Sequence, residues 1–216
     1  MEKKSERILF QGAWLGIKET ILLSPGGAEV RWESVERASC RDAVIVYARL
    51  LPSNRWILIR QFRPAIGNHV LGCPAGLVPD GSDPAAQALV ELKEETGYVG
   101  EVRSVSPRLK ASVGVLNESA YIVRVDVDEA APENISPTQH LEDAEAIEVV
   151  LIPSDSMRSF MLSEIEAGRE VASGLWYVFG FQEELVPPPA KPRNRPAANA
   201  RQAANTRGRR RGGPRG

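Results

Sequence analysis

From Ala43 to Leu51 the chain reads AVIVYARLL, a run rich in apolar and β-branched residues that predicts a buried strand. Pro52-Ser53-Asn54 interrupts it, and Trp56–Phe62 (WILIRQF) resumes the pattern as a second strand. Upstream, residues 7–24 and 29–39 read as two strands on either side of a turn at Pro25-Gly26-Gly27. Downstream, further strands are predicted at about 100–105, 119–127 and 145–152. A loop follows Gly76, and then the spacing changes. Ala85, Ala88, Leu89 and Leu92 recur at helical intervals and form one apolar stripe. Ser82 or Asp83 can cap that helix, Pro84 suits its first turn, and Gly97 ends it. Ser154 or Asp155 opens a helix reaching about Ala167, and the aromatic-rich stretch Gly174–Leu185 is predicted as a last helix. Many strands with a few helices between them indicate an α+β fold, a mixed β-sheet flanked by helices. No internal repeat is present.

Composition adds a boundary. A chain of 216 residues, 43% hydrophobic, suits one domain of ordinary size with a tail. The net charge of −1 divides unevenly: residues 187–216 hold nine basic residues and no acidic one, which leaves −10 on residues 1–186. That last stretch is mostly Pro, Ala, Asn, Gly and Arg, and without large apolar residues it is expected to be disordered. Cys40 and Cys73 form no CxxC pair and no zinc spacing with His69 and His140, so two reduced thiols are expected. The first residues lack the apolar stretch of a secretory signal, and no window approaches about 18 uninterrupted apolar residues. The expectation is a cytoplasmic protein with no membrane contact.

The chemistry gathers on the first helix. Glu91, Glu94 and Glu95 lie beside its apolar stripe, with Glu91 and Glu95 one turn apart. Clustered carboxylates repel one another, and a divalent cation would reverse that interaction. Hard cations such as Mg²⁺ take one or two carboxylates together with phosphate and water oxygens. The stretch Pro74–Gly97, PAGLVPDGSDPAAQALVELKEETG, resembles the Nudix box. It agrees with that motif at Gly76, Glu91, Leu92, Glu94, Glu95, Gly97 and Tyr98, and departs from it at Ser82 and Val90, where Glu and Arg are usual. Four further stretches, WESVER (from Trp32), RQFRP (from Arg60), PAGL (from Pro74) and EDAEAIE (from Glu142), resemble the ADP-ribose and ADP-sugar pyrophosphatase branch in the same order. The likeness covers most of residues 8–182. Gly72 is a third departure, standing where that branch usually has Glu.

The resemblance implies a Nudix-like α/β/α sandwich at 41–186, preceded at 1–40 by N-terminal strands that form an antiparallel sheet swapped across a homodimer, with the basic tail at 187–216. Trp14 and Trp32 resemble the pair that sandwiches adenine from two subunits, where stacking is worth about 1–3 kcal/mol per base. Arg63, and with it Arg37, resembles the arginines that hold substrate, as a guanidinium fork suits phosphate oxygens. Glu145 resembles the general base of the branch, and Glu142 is close enough to compete for the role. Glu91, Glu94, Glu95 and the carbonyl of Ala75 are the implied ligands for Mg²⁺, with Mn²⁺ as the alternative. The implied reaction is hydrolysis of ADP-ribose or a related nucleoside diphosphate sugar to AMP and a sugar phosphate. Two rivals remain: a catalytically weakened ADP-ribose-class binding protein, and an RNA-associated Nudix protein whose tail, RGRRRGGPRG, contacts nucleic acid by charge.

Overall fold

A computed structural model describes residues 1–39 and 42–181. Its main sheet is built on β4 (Asp42–Leu51), whose side chains alternate between two cores. Val44, Val46, Ala48 and Leu50 face Ala88 and Leu92 of helix α1 (Pro84–Thr96). Tyr47 faces the other way, toward Met157 and Met161 of α3 (Met157–Glu166) and Leu175 of α4 (Ser173–Leu175). Helix, sheet and helix form three layers, so the strand must be apolar on both faces. Its continuous run of apolar residues records that requirement. Each fully buried Leu, Ile or Met contributes about 1.5–3 kcal/mol.

Strand β10 (Ser119–Asp128) runs parallel to β4 along its whole length and carries β8 (Glu101–Val105) and β9 (Leu109–Lys110) on its other edge. On the opposite side the sheet forks. β5 (Arg55–Arg63) pairs with β4 only from Ala48↔Ile57 to Leu50↔Arg55. Beyond that point β5 takes β6 (Asn68–Gly72) as its partner, while β4 takes β7 (Ala75–Val78). The far edge of β5 pairs from Arg55 to Gln61 with β11 (Ile147–Pro153), and β12 (Glu170–Val171) runs parallel to β6. A short helix α2 (Pro132–Ile135) lies between β10 and β11. β1 (Glu2–Gln11), β2 (Leu15–Leu23) and β3 (Glu29–Arg37) make a separate antiparallel sheet.

The α+β class, the mixed sheet between helices and the N-terminal antiparallel sheet are as expected. Residues 7–24 are not one strand. The chain reverses at Gly12-Ala13-Trp14, where the Gly12 amide donates to the Leu15 carbonyl at 2.8 Å, and this separates β1 from β2. After Gly76 there is strand rather than immediate loop, since β7 continues to Val78. The predicted last helix is broken into α4 and a π-helical turn at Trp176–Gly180, and its expected end lies outside the described residues. So do Cys40 and the basic stretch 187–216 read above as disordered. No described helix is long and apolar enough to cross a membrane.

Candidate functional site

Helix α1 is fixed at both ends. Asp83 accepts a hydrogen bond from the Ala85 amide at 3.1 Å and caps its start. Gly97 ends it in the left-handed region at φ 78°, and a Cβ there would lie 2.3 Å from the Thr138 backbone nitrogen. Conformation and close approach both require glycine. Between these ends, burial of Ala88 and Leu92 sets the rotation of the helix and turns Glu95 inward, where it is only 2% exposed. Its carboxylate accepts from the Ala75 amide at 2.9 Å. Burial pushes that carboxyl up to about 8, the charges of Glu91 and Glu145 add to the effect, and the Ala75 amide and the charge of Arg63 oppose it.

Glu91 is half-buried one turn earlier. Gln87 donates to its Oε1 at 2.8 Å. Its carboxylate rests against Gly76, so closely that a Cβ there would lie 1.9 Å from Oε1. Burial raises its pKa, and the charges of Glu94, Glu145 and Glu142 raise it further. Two neighbouring carboxyls are thus held where their charged forms are disfavoured, an arrangement that a cation would relieve. Glu94 is exposed on the outer side of the helix. Among the described residues no three His, Cys, Asp or Glu side chains gather closely enough to hold an ion. The charge of Glu91 acts on Glu95, and that of the exposed Glu94 acts on Glu91.

The loop before β11 is tied to the last turn of α1, whose carbonyls have no partner within the helix. Gln139 donates through Nε2 to the Glu95 carbonyl at 2.6 Å and to the Ile147 carbonyl at 3.2 Å. The His140 amide donates to the Glu94 carbonyl at 2.8 Å. Within the loop, the Glu145 carboxylate accepts from the Glu142 amide at 3.0 Å. These bonds bring Glu145 to a position where its charge acts on both Glu91 and Glu95.

Where β4 and β5 part, a cavity of about 270 Å³ opens between them, lined by Tyr47, Gln61, Arg63, Gly72, Ala75 and Ser173 among others. Arg63 makes no ion pair among the described residues, so its guanidinium is available at this cavity. Gly72 is not in the left-handed region, and a Cβ there would meet only Ala172 Cβ, at 3.8 Å. Its lack of a side chain is therefore not imposed by the backbone. Ser82 and Val90, the departures within the box, are both exposed.

The aromatic pair behaves differently. Trp14 is 80% exposed at the turn between β1 and β2, and Trp32 is 49% exposed on β3. Trp32 donates through Nε1 to the Gly114 carbonyl at 3.1 Å. The β2–β3 register sets Trp32 opposite Thr20. That is six residues along the strand from Trp14, or about 20 Å. One chain therefore cannot close both indoles on a single ring. Arg37 is ion-paired with Glu118.

Gln87, Gln139 and Gln61 are the polar groups that sequence reasoning passed over. Gln87 was legible as the residue one turn before Glu91. Gln139 bonds across the fold and Gln61 lines the cavity, and no local pattern marks either.

Over 160 residues the chain is 35% identical to the ADP-sugar pyrophosphatase of Mus musculus, a span covering 71% of this chain and 73% of that protein. Over 187 residues it is 32% identical to a Caenorhabditis elegans protein named as nudix hydrolase 2, covering 82% and 84%. Its fold is similar to that in a crystal structure of an ADP compounds hydrolase, with a TM-score of 0.58 at 18% identity over 84% of this chain and 94% of that one. No protein-family model matches the chain. At the identity and coverage shared with the Caenorhabditis elegans protein, the chain belongs to the Nudix hydrolase family. Within it, the chain resembles the ADP-ribose and ADP-sugar pyrophosphatases.

Proposed function

We propose that this chain hydrolyses the diphosphate of ADP-ribose or a related ADP-sugar with Mg²⁺, releasing AMP and a sugar phosphate. The observation that carries the reading is the half-buried Glu91 and the buried Glu95, seated against Gly76 and Ala75, with the charges of Glu145 and Arg63 acting on Glu95. Two carboxylates and the Ala75 carbonyl suit Mg²⁺ or Mn²⁺, which fill their remaining positions with phosphate and water oxygens. Such an ion would offset phosphate charge and acidify a bound water. Arg63 would hold the diphosphate through its guanidinium fork, and Arg37 would join it on release from Glu118. Glu145 would accept the proton from the attacking water, its carboxylate steadied by the Glu142 amide; Glu142 is the substitute base. Glu94 would be an outer ligand or a source of charge.

Adenine recognition by Trp14 and Trp32 would need a second copy of the chain, because the two lie about 20 Å apart within one. The exposed Ile8, Phe10 and Leu15 on the same sheet give a homodimer apolar surface to cover.

The test is AMP release across a panel of nucleoside diphosphate derivatives, with and without Mg²⁺. ADP-ribose or another ADP-sugar is expected to be the preferred substrate, and chelation of the metal to abolish turnover. Micromolar ADP-ribose binding with no turnover would instead support a weakened binding protein. Gly72, Ser82 and Val90 favour that second reading, since each leaves out a charged group that the resembling branch usually has.

A further inference from the structure

Resting on the reading above, we propose that the segment Gly114–Glu118 is a positioning element for the nucleotide end of the substrate: its backbone holds the Trp32 indole by the N–H edge, so that the ring meets a flat base already oriented.

Attachment is the first argument. Residues 111–118 connect β9 to β10, which pair at Lys110↔Ser119 and Leu109↔Ala120. The connection is folded on itself. The Val115 and Leu116 amides both donate to the Ser112 carbonyl, at 3.0 and 2.8 Å, and Lys110 donates through Nζ to the Asn117 carbonyl at 2.6 Å. From there it runs alongside β3. Trp32 donates to the Gly114 carbonyl at 3.1 Å, and the Val35 amide donates to the Val115 carbonyl at 2.8 Å. Asn117 donates through Nδ2 to Glu36 Oε1 at 2.9 Å, and Glu118 pairs with Arg37. Among the described residues, every hydrogen bond between residues 1–39 and the rest of the chain falls in this segment. One strap therefore joins the N-terminal sheet to the main sheet and sets where Trp32 stands relative to β10.

Chemistry is the second. An indole N–H only donates, and it lies in the plane of the ring. A bond to it fixes that plane and covers neither face, which is what a stacking platform requires. Trp32 is 49% exposed on β3, an edge strand, and an unanchored side chain there would have to be ordered when a base arrives. Ordering of that kind weakens affinity by about two- to tenfold. Trp14 makes the contrast. It is 80% exposed and its side chain makes no hydrogen bond among the described residues. Trp32 is thus the fixed indole of the two and Trp14 the one that adapts.

Independence from the phosphates is the third. When Arg37 leaves Glu118 for a phosphate, the bonds of Trp32, Val35 and Glu36 to the strap remain. The platform keeps its orientation while the charged contact changes partner.

The test breaks the Trp32–Gly114 bond from each side in the full-length protein. Site-specific replacement of Trp32 by benzothienylalanine keeps the fused rings and removes the N–H. Val115→Pro acts on the acceptor: it removes the Val115 amide that closes the turn on Ser112, and it drives Gly114 toward extended backbone, which swings the carbonyl away. Calorimetry in Mg²⁺ then compares AMP, which carries the base, with inorganic pyrophosphate, which carries none. Wild type is expected to bind both. Each variant is expected to lose AMP affinity by at least about threefold and to bind pyrophosphate as before. Thermal melts check the fold, and the benzothienylalanine variant decides the matter if Val115→Pro does not fold. Unchanged AMP affinity in the benzothienylalanine variant, or an equal loss for both ligands, would overturn the positioning role even if Mg²⁺-dependent hydrolysis of ADP-ribose is observed. A wild type that binds pyrophosphate but not AMP would overturn it as well and leave the metal site standing. A wild type that binds neither and does not hydrolyse ADP-ribose would overturn both this role and the reading beneath it.

Discussion

Replacing Gly76 with alanine separates function from stability. The added Cβ would stand 1.9 Å from Oε1, 2.0 Å from Cδ and 2.3 Å from Oε2 of Glu91. Non-bonded atoms rest comfortably only at about 3.5 Å, so the carboxylate must withdraw by about 1.5 Å. It is the far end of a flexible side chain, and its retreat costs about 0.5–1.5 kcal/mol in rotamer energy. Gly76 is not in the left-handed region, so alanine also restricts the unfolded chain and returns about 0.4–1 kcal/mol. The two nearly cancel, and the melting temperature should move little. Activity should not survive so well. The withdrawal breaks the Gln87–Glu91 hydrogen bond of 2.8 Å and shifts a proposed ligand by more than 1 Å. A misplacement of that size costs about 100-fold in rate, or about 2.7 kcal/mol of barrier. Gly97→Ala is the contrasting control, because there the obstacle is Thr138 backbone at 2.3 Å with φ 78°, and stability itself should fall. AMP release and thermal melts on both variants decide the matter. If Gly76→Ala stays folded and keeps its rate within about threefold, the resting position of Glu91 has no part in catalysis.

Further outcomes follow from other contacts. Gln87→Ala should weaken the apparent Mg²⁺ affinity by about tenfold and recover most of its rate at saturating metal, because Gln87 orients a ligand without being one; an unchanged metal titration would refute this. Glu164 is 2% exposed and accepts hydrogen bonds from Arg169 at 2.6 Å and Arg60 at 2.9 Å, which hold its carboxyl at about 2 against an ordinary 4.5. A depressed pKa means that this stabilisation, on the order of 2–3 kcal/mol, is present above pH 4.5 and is lost as the pH falls toward 2, so wild-type stability should decline across that window more steeply than that of Glu164→Gln, which keeps only the smaller losses at Glu6, Glu19 and Glu129. Parallel acid titrations of denaturant stability would expose the error if both proteins decline alike. Light scattering is expected to find a dimer, and a monomer that still binds ADP-ribose tightly would remove the shared role of Trp14 and Trp32. The triple variant Gly72→Glu, Ser82→Glu and Val90→Arg should raise hydrolysis by about tenfold if the departures weaken the metal site, and no gain in a folded protein would mean that they do not.

Much of this was written locally. The helix α1 announced itself because its cap, its stripe and its terminal glycine agree, and Glu91 and Glu95 shared a face by spacing alone. β4 and β5 were legible because both faces are covered and the apolar runs are continuous. The hairpin between β1 and β2 was not, because apolar residues lie close on both sides of Gly12-Ala13-Trp14 and no Pro-Gly or Asn-Gly pair marks the reversal. β6 and β7, of five and four residues, are too short for a period to show. Sequence spacing grouped Glu94 with its neighbours, yet burial of Leu92 and Ala88 sets a rotation that takes Glu95 in and leaves Glu94 out. Gln139 and Gln61 owe their roles to chain segments remote in sequence, so only the folded arrangement reveals them.

The departures at Gly72, Ser82 and Val90 change the balance of charge as well as the number of ligands. Glutamates at the first two positions and arginine at the third would add one net negative charge to a region that already holds Glu91, Glu94, Glu95, Glu142 and Glu145. A diphosphate approaching that cluster is repelled until a cation intervenes, so binding in a fully charged box should depend steeply on metal. In this chain the repulsion is smaller, Arg63 faces the cavity without an ion pair among the described residues, and the fork at Gly72 carries no carboxylate. The same departures that would thin out the proposed metal site therefore ease entry of an anionic ligand in the absence of metal. An enzyme and a binding protein built on this fold part company at that point. For the enzyme, ADP-ribose affinity should rise steeply with Mg²⁺, because the ion is part of the productive complex. For the binding protein, affinity should be nearly as high in EDTA, because Arg63 and the fork hold the ligand alone.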